Sequence, residues 1–282
     1  MSGSMLAFVL NDGLMKILFA DWSIYQAIFL RGILTIPLML FFAWKAKQLV
    51  VKLSSSDWKL IVIRTASEVG AAIFFLSALA HMPLANVTAI LQVLPLAVTM
   101  GAAIFLRESV NWRRWLAIFV GFIGVMIIVR PGMEGFSVYS ISALCAVACV
   151  TVRDLTTSRL SSKTPSMFVA LITGIAMTVL GAVMLPTITW EPIYKSHWLI
   201  LAISAIAIIF GYLFSVMAMR YGDASFIAPF RYTAMIWAIG LGIIIFNDWP
   251  DNTTVLGTLI VVVTGIYSFH REKIRRDSGH AI

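Results

Sequence analysis

Ala224–Phe246 reads ASFIAPFRYTAMIWAIGLGIIIF, an apolar run with a single charge, Arg231, and a proline, Pro229, two residues before it. A helix rises about 1.5 Å per residue, so roughly 20 residues cross a hydrocarbon core of about 30 Å. This run is long enough to cross, and nine more accompany it. They lie near 3–20, 24–44, 59–80, 87–106, 115–130, 136–153, 166–186, 197–218 and 254–270, and leave almost nothing for a soluble domain. The runs are continuous rather than alternating, which favours helices over a membrane β-barrel. Composition agrees, with 60% hydrophobic and 12% charged residues, where an ordinary soluble domain carries about 25% charged. The first run lacks a basic start and holds Asn11, Asp12 and Lys16, unlike a signal peptide. The expected fold class is an all-α integral membrane protein with ten transmembrane helices.

Charge placement orients the spans. With the N-terminus in the cytoplasm, fifteen of the 21 Lys and Arg residues fall on the inner side, among them Arg153, whose expected partner is the adjacent Asp154. Arg130 and Lys195 fall outside, and Lys16, Arg31, Arg64 and Arg231 lie within spans. This asymmetry follows the positive-inside rule and predicts two cytoplasmic termini. The net charge of +8 thus belongs to membrane anchoring rather than to nucleic acid. Trp22, Trp44, Trp58, Trp112, Trp115, Trp190, Trp198 and Trp249 lie near span ends, where indole rings prefer the interface. Trp237 alone lies deep within a span. Cys145 and Cys149, one turn apart with no histidine near them, read as packing residues rather than metal ligands. No metal site, cofactor motif or catalytic residue is expected.

The chain also repeats. When Ala85 is set against Ala224, Ala89 meets Ala228, Gln92 meets Arg231 and Glu108 meets Asn247; after a two-residue insertion Gly124 meets Gly265. Five spans per half force the second copy to enter from the opposite side. The expected organisation is therefore two inverted five-helix repeats, 1–132 and 133–282, the second carrying a short basic cytoplasmic tail. Such halves place a substrate site near the midplane and move by alternating access.

Several short runs resemble the EamA-type carriers of the drug/metabolite transporter superfamily. They are Ala228-Pro-Phe-Arg-Tyr232, Phe246-Asn-Asp-Trp-Pro-Asp251, Gly257 and Gly265, Asn11-Asp12 with Lys16, Leu30-Arg31-Gly32, Phe105-Leu-Arg-Glu108 with Trp115 and Gly121–Gly124, and Arg153-Asp154-Leu155. Within that superfamily the chain is most similar to bacterial S-adenosylmethionine uptake carriers. The resemblance implies ten helices in a bacterial inner membrane and transport rather than enzymatic activity. The family also includes amino-acid exporters and riboflavin carriers.

Charges inside spans cost at least about 2.5–3.5 kcal/mol and so face a cavity or a partner. Arg231, roughly 12 Å into its span, offers five fixed donors suited to a carboxylate. Pro229 opens the helix there, Tyr232 follows, and Trp237 offers an aromatic face to a flat or cationic group. Gln92, the repeat mate of Arg231, can donate and accept from the other half. Glu68 lies near the midplane with Arg64 one turn away, and spacing pairs them. Asp12 and Lys16 repeat that spacing, with Asn11 adjacent, and Asp12 is also a candidate partner for Arg31. The candidate substrate-binding set is Arg231, Glu68, Trp237, Gln92, Tyr232, Asp12, Asn11, Arg31 and Arg64. A cavity of mixed sign suits a zwitterion or a cation bearing a carboxylate. The expected function is a secondary carrier for a small polar metabolite resembling S-adenosylmethionine or an amino acid. Its partners are that substrate, the bilayer, and a proton or counter-substrate. The alternatives are uptake or export of another metabolite, such as riboflavin or a quaternary amine, and a channel-like facilitator.

Overall fold

The computed structural model describes all residues except 50–52, 108–109, 131–136, 162–163, 222–227 and 280–282. The described residues form eleven α-helices: α1 Ser2–Leu18, α2 Ile24–Lys45, α3 Ser55–His81, α4 Leu84–Leu91, α5 Leu94–Phe105, α6 Trp112–Val129, α7 Val138–Ser158, α8 Ser166–Met184, α9 Lys195–Tyr221, α10 Thr233–Phe246 and α11 Asn252–Gly279. Two 3-10 turns, Leu185–Thr187 and Ala228–Tyr232, extend α8 and precede α10. Taking α4 and α5 together, eight helical segments are long and apolar enough to cross a membrane. Phe230–Phe246 is a shorter apolar helix, and α1 is short and carries Asn11, Asp12 and Lys16. Large apolar side chains on the outside, such as Phe105, Phe119, Leu199, Ile236 and Ile244, are exposed. In water so much exposed apolar surface would drive association; in a multi-pass membrane protein it faces lipid.

Local chemistry sets the ends of the helices. The Ser54 hydroxyl accepts from the Asp57 amide at 3.1 Å, so α3 begins four residues before the apolar run does. Asp251 accepts from the Thr254 amide at 2.7 Å and caps α11. It also pairs with Arg130 at the end of α6. Burial works to raise the Asp251 carboxyl, but the hydrogen bonds from Thr254 and Arg130 outweigh it and hold the group below the usual carboxylate range. Asn247 closes α10 in the left-handed region at φ 55°, where its own amide and that of Asp248 reach back to the carbonyls of Ile243 and Gly242.

Two expected spans are interrupted rather than continuous. The run 87–106 breaks at Gln92–Val93, because Pro95 has no amide to give the carbonyl of Leu91 and its ring crowds that carbonyl. The run 224–246 enters through the 3-10 turn that holds Pro229. Both interruptions carry a buried residue, Gln92 and Tyr232, and Gln92 is roughly 13 Å of helix from Pro83.

Packing pairs the helices across the two repeats. α3 lies along α7, α1 along α9 and α10, α2 along α8 and α9, and α6 along α11, while α4 and α5 lean on α7 and α4 meets α10. Two groups emerge, α1 with α9 and α10, and α3 with α4, α5 and α7. Each draws helices from both halves of the chain. Backbones come close where α6 meets α11. A Cβ at Gly257 would lie 2.6 Å from the Gly124 carbonyl oxygen, and one at Gly124 would lie 2.9 Å from that of Gly257. Without a hydrophobic force between helices in lipid, such close backbone packing supplies much of their adhesion.

Gly257→Ala is therefore expected to destabilise the detergent-solubilised protein by about 1–3 kcal/mol, as overpacking does. Gly240→Ala, where nothing lies within 4 Å, is expected to leave its melting temperature unchanged or slightly raised. Equal melting curves for the two variants would contradict the close α6–α11 contact.

Candidate functional site

The two interruptions meet. The Gln92 side-chain amide donates to the backbone carbonyl of Tyr232 at 3.2 Å, and Gln92 is buried. Arg231 and Gln92, matched by the repeat, thus stand on facing irregular segments. No hydrogen bond or ion pair joins the Arg231 guanidinium to the described residues, and it is half-buried. Its charged neighbours are Asp154 and Arg153 of α7. Tyr232 is buried; its hydroxyl lies where a side chain at Gly265 would stand, and it finds no hydrogen-bond partner among the described residues. The same is true of the indole N–H of Trp237, which packs against the buried cluster that includes Val9, Leu76, Leu79 and Leu84.

The spacing-based ion pairs do not form. Glu68 pairs with Arg153 instead of Arg64: Arg153 Nη1 donates to both carboxylate oxygens, at 3.2 and 3.0 Å. Arg64 turns away from its own helix and donates to the Thr157 hydroxyl at 2.9 Å and the Thr173 hydroxyl at 2.7 Å. A position one turn away on the same helix offers only a weak pair. A facing helix lets a guanidinium reach two oxygens at once. Arg153, which the hydropathy edge assigned to the inner loop, thus belongs to the interior. It also binds Asp154, its expected partner, with Nε at 2.9 Å and Nη2 at 2.8 Å, both on Oδ1.

Around α1, Asp12 is likewise not paired with Lys16. Asn11 links it to Arg31: Asn11 Oδ1 accepts from Arg31 at 3.1 Å and from Ser204 at 2.8 Å, while its amide donates to Asp12 at 3.0 Å. Lys16 donates to the carbonyls of Leu79 and Met82 at the end of α3. Arg31 of one cluster and Arg64, Glu68 and Arg153 of the other are all electrostatic neighbours of Tyr212 on α9. Arg153, Asp154, Ser204, Tyr212, Thr157 and Thr173 were not in the sequence-based set. A polar residue inside an apolar helix was the available signal for Ser204 and Tyr212.

An apolar cleft of about 340 Å³ between α2 and α9, lined by Ile33, Leu34, Pro37, Leu38, Ala202, Ala205 and Ile206, opens outward among exposed side chains and offers no group for a polar ligand.

Glu68→Gln and Arg153→Gln are each expected to lower thermal stability. Breaking one partner of a buried pair typically costs about 3–5 kcal/mol, less where, as here, the pair is partly open. The double variant is expected to lose less than the sum of the two. Strict additivity would mean that the pair does not form in the bilayer.

A family model described as the EamA-like transporter family matches residues 1–130 and again 138–269. An S-adenosylmethionine uptake transporter from Rickettsia conorii is 26% identical over 206 residues, 70% of this chain and 67% of the relative. A riboflavin transporter from Brucella anthropi is 26% identical over 276 residues, 95% of this chain and 91% of the relative. One protein crystal structure aligns with a TM-score of 0.62 at 18% identity, covering 98% of both chains, which speaks for the fold.

Proposed function

Because the chain belongs to the EamA-like transporter family, and so is a membrane transporter of small molecules rather than an enzyme, we propose that it carries a metabolite bearing a carboxylate across a bacterial inner membrane by alternating access. The observation that carries this reading is Arg231. It is a permanent cation inside the bundle, unbonded to the described residues, at the point where two interrupted helices meet. Interrupted helices free backbone and side-chain polar groups for a ligand at the midplane, which is how many secondary carriers build their sites.

The spans number ten, α4 with α5 and the 228–232 turn with α10 each counting once, and both termini are cytoplasmic. The repeats, 1–132 and 133–282, are inverted. Exchanging the two halves span for span turns α3–α7 contacts into α9–α1 contacts and leaves α2–α8, α6–α11 and α4–α10 as self-pairs, which supports the inversion. The moving bodies are the two mixed groups of helices rather than the sequence halves. A proton or a counter-substrate drives the cycle.

The ligand's carboxylate lies on Arg231 with Gln92 and Tyr232 beside it, and Trp237 supplies an indole donor and an aromatic face. For the cationic end of a zwitterion, Asp154 suits better than Glu68. Both Glu68 oxygens are taken by Arg153, while Arg153 uses only Oδ1 of Asp154. Asn11, Asp12, Arg31 and Arg64 line the neighbouring polar clusters. S-adenosylmethionine and amino acids have this chemistry. Riboflavin, or a quaternary amine without a carboxylate, would need a different use of the same groups, and a channel-like facilitator would not saturate.

Counterflow in proteoliposomes tests the proposal against a panel of S-adenosylmethionine, amino acids, riboflavin and quaternary amines. The expected result is saturable, counter-stimulated uptake of a carboxylate-bearing compound. Arg231→Ala should abolish it, since losing one member of a desolvated charge pair costs about 2–5 kcal/mol, while Arg231→Lys retains a fraction. Undiminished counterflow in Arg231→Ala would overturn the assignment.

A further inference from the structure

We propose that Lys16 is a latch that holds the carrier closed at the end of the bundle where α1, α3 and α10 terminate, so that the structure is a state closed to the outside. The proposal rests on the alternating-access reading above and adds the group that regulates access.

Lys16 sits in the last turn of α1. Its ammonium donates to two carbonyls of the neighbouring helix end, Leu79 at 3.1 Å and Met82, the residue that caps α3. Pro83 follows Met82, so the chain turns and the final carbonyls of α3 have no further turn of helix to satisfy them. A lysine is well matched to that site, being a cation at the negative end of a helix dipole with three donors on one nitrogen. The same ammonium stands over the ring of Phe246, 5.5 Å from its centroid, at the last residue of α10. Asp248, just beyond, is its carboxylate neighbour. One side chain thus ties three helix ends together. The three belong to different moving bodies, α1 and α10 to one and α3 to the other.

Packing beneath the latch is consistent with a closed end. Val9, Leu76, Leu79, Leu84 and Ala238 form a buried apolar layer, with Phe19, Leu241 and Phe246 around it. It joins the two bodies on the side toward Lys16. On the opposite side, Ser4 bonds to the Gly211 carbonyl and Asp57 accepts from the Ser161 amide at the chain turn after α7, each within one body. The ligands of Lys16 are peptide carbonyls, which never titrate and cannot move independently of α3. Opening the outer end must break both carbonyl bonds together, while Phe246, in the same body as Lys16, keeps the ammonium aimed at them. Neutralising the lysine removes it without touching Arg231 or the polar clusters.

The test is accessibility, which needs no substrate, so its outcome is separate from that of the transport assay. In a background with Cys145 and Cys149 replaced by serine, Ala238→Cys places a thiol in the apolar layer. A membrane-impermeant maleimide is applied from outside intact cells. With Lys16 present, labelling is expected to be slow. Lys16→Met is expected to raise the rate about tenfold, the shift that follows from losing charge-assisted hydrogen bonds of this kind, and Lys16→Arg to keep it low. Phe246→Leu, which removes the ring but not the carbonyl contacts, is a second probe should Lys16→Met fail to reach the membrane, and is expected to give a smaller rise. Rates unchanged from the parent in whichever of Lys16→Met and Phe246→Leu reaches the membrane, or equal acceleration by Lys16→Arg, would overturn the proposal.

Discussion

A backbone polar group in hydrocarbon has no water to turn to, and leaving it unpaired costs several kcal/mol. Two of the spans accept that cost by interrupting their helices at depth. The structure meets it by setting the interruptions against each other, with the Gln92 amide on the Tyr232 carbonyl. Much else follows from that contact. It joins α4 to the turn that precedes α10; Arg231 in that turn has Asp154 as an electrostatic neighbour, and the buried polar atoms of Tyr232 and Trp237 are unpaired among the described residues. A continuous helix in either place would satisfy its own backbone and leave nothing for a ligand.

Several other charges within the apolar runs are answered from another helix. Arg153 answers Glu68, Arg31 answers Asn11, Arg64 answers two threonines, and Lys16 answers the carbonyls of α3. Arg231 differs in lacking such an answer among the described residues. Inside a bundle an arginine cannot escape its charge by losing a proton, so the open position favours an anionic group arriving with the substrate.

The hydropathy of the chain carried the all-helical membrane class, and the motif residues carried the family. Arg231, Gln92 and Trp237 were legible because each breaks a local rule: a charge, an amide and an indole deep in apolar runs. Pro229 announced the second interruption. The first was missed although Pro95 stood in view, since hydropathy measures side chains and is blind to a missing amide. Pairing was read from spacing along one helix, which gave Arg64–Glu68 and Asp12–Lys16. The actual partners lie on other helices, where geometry allows bidentate and carbonyl contacts, and no single sequence orders helices around a bundle. Arg153 was displaced to a loop for a related reason: it sits at the edge of an apolar run, and its depth is set by the partner it meets.

The central claim is that Arg231 binds a carboxylate, and a ligand-protein double-substitution cycle measures it directly. Binding of the transported compound and of its carboxamide analogue would be measured by calorimetry in nanodiscs, for the parent protein and for Arg231→Gln. The account predicts a coupling of about 2 kcal/mol, roughly 30-fold, between the carboxylate and Arg231, so that the parent discriminates between the two ligands and the variant does not. Equal discrimination by both proteins would place the carboxylate elsewhere and contradict the account.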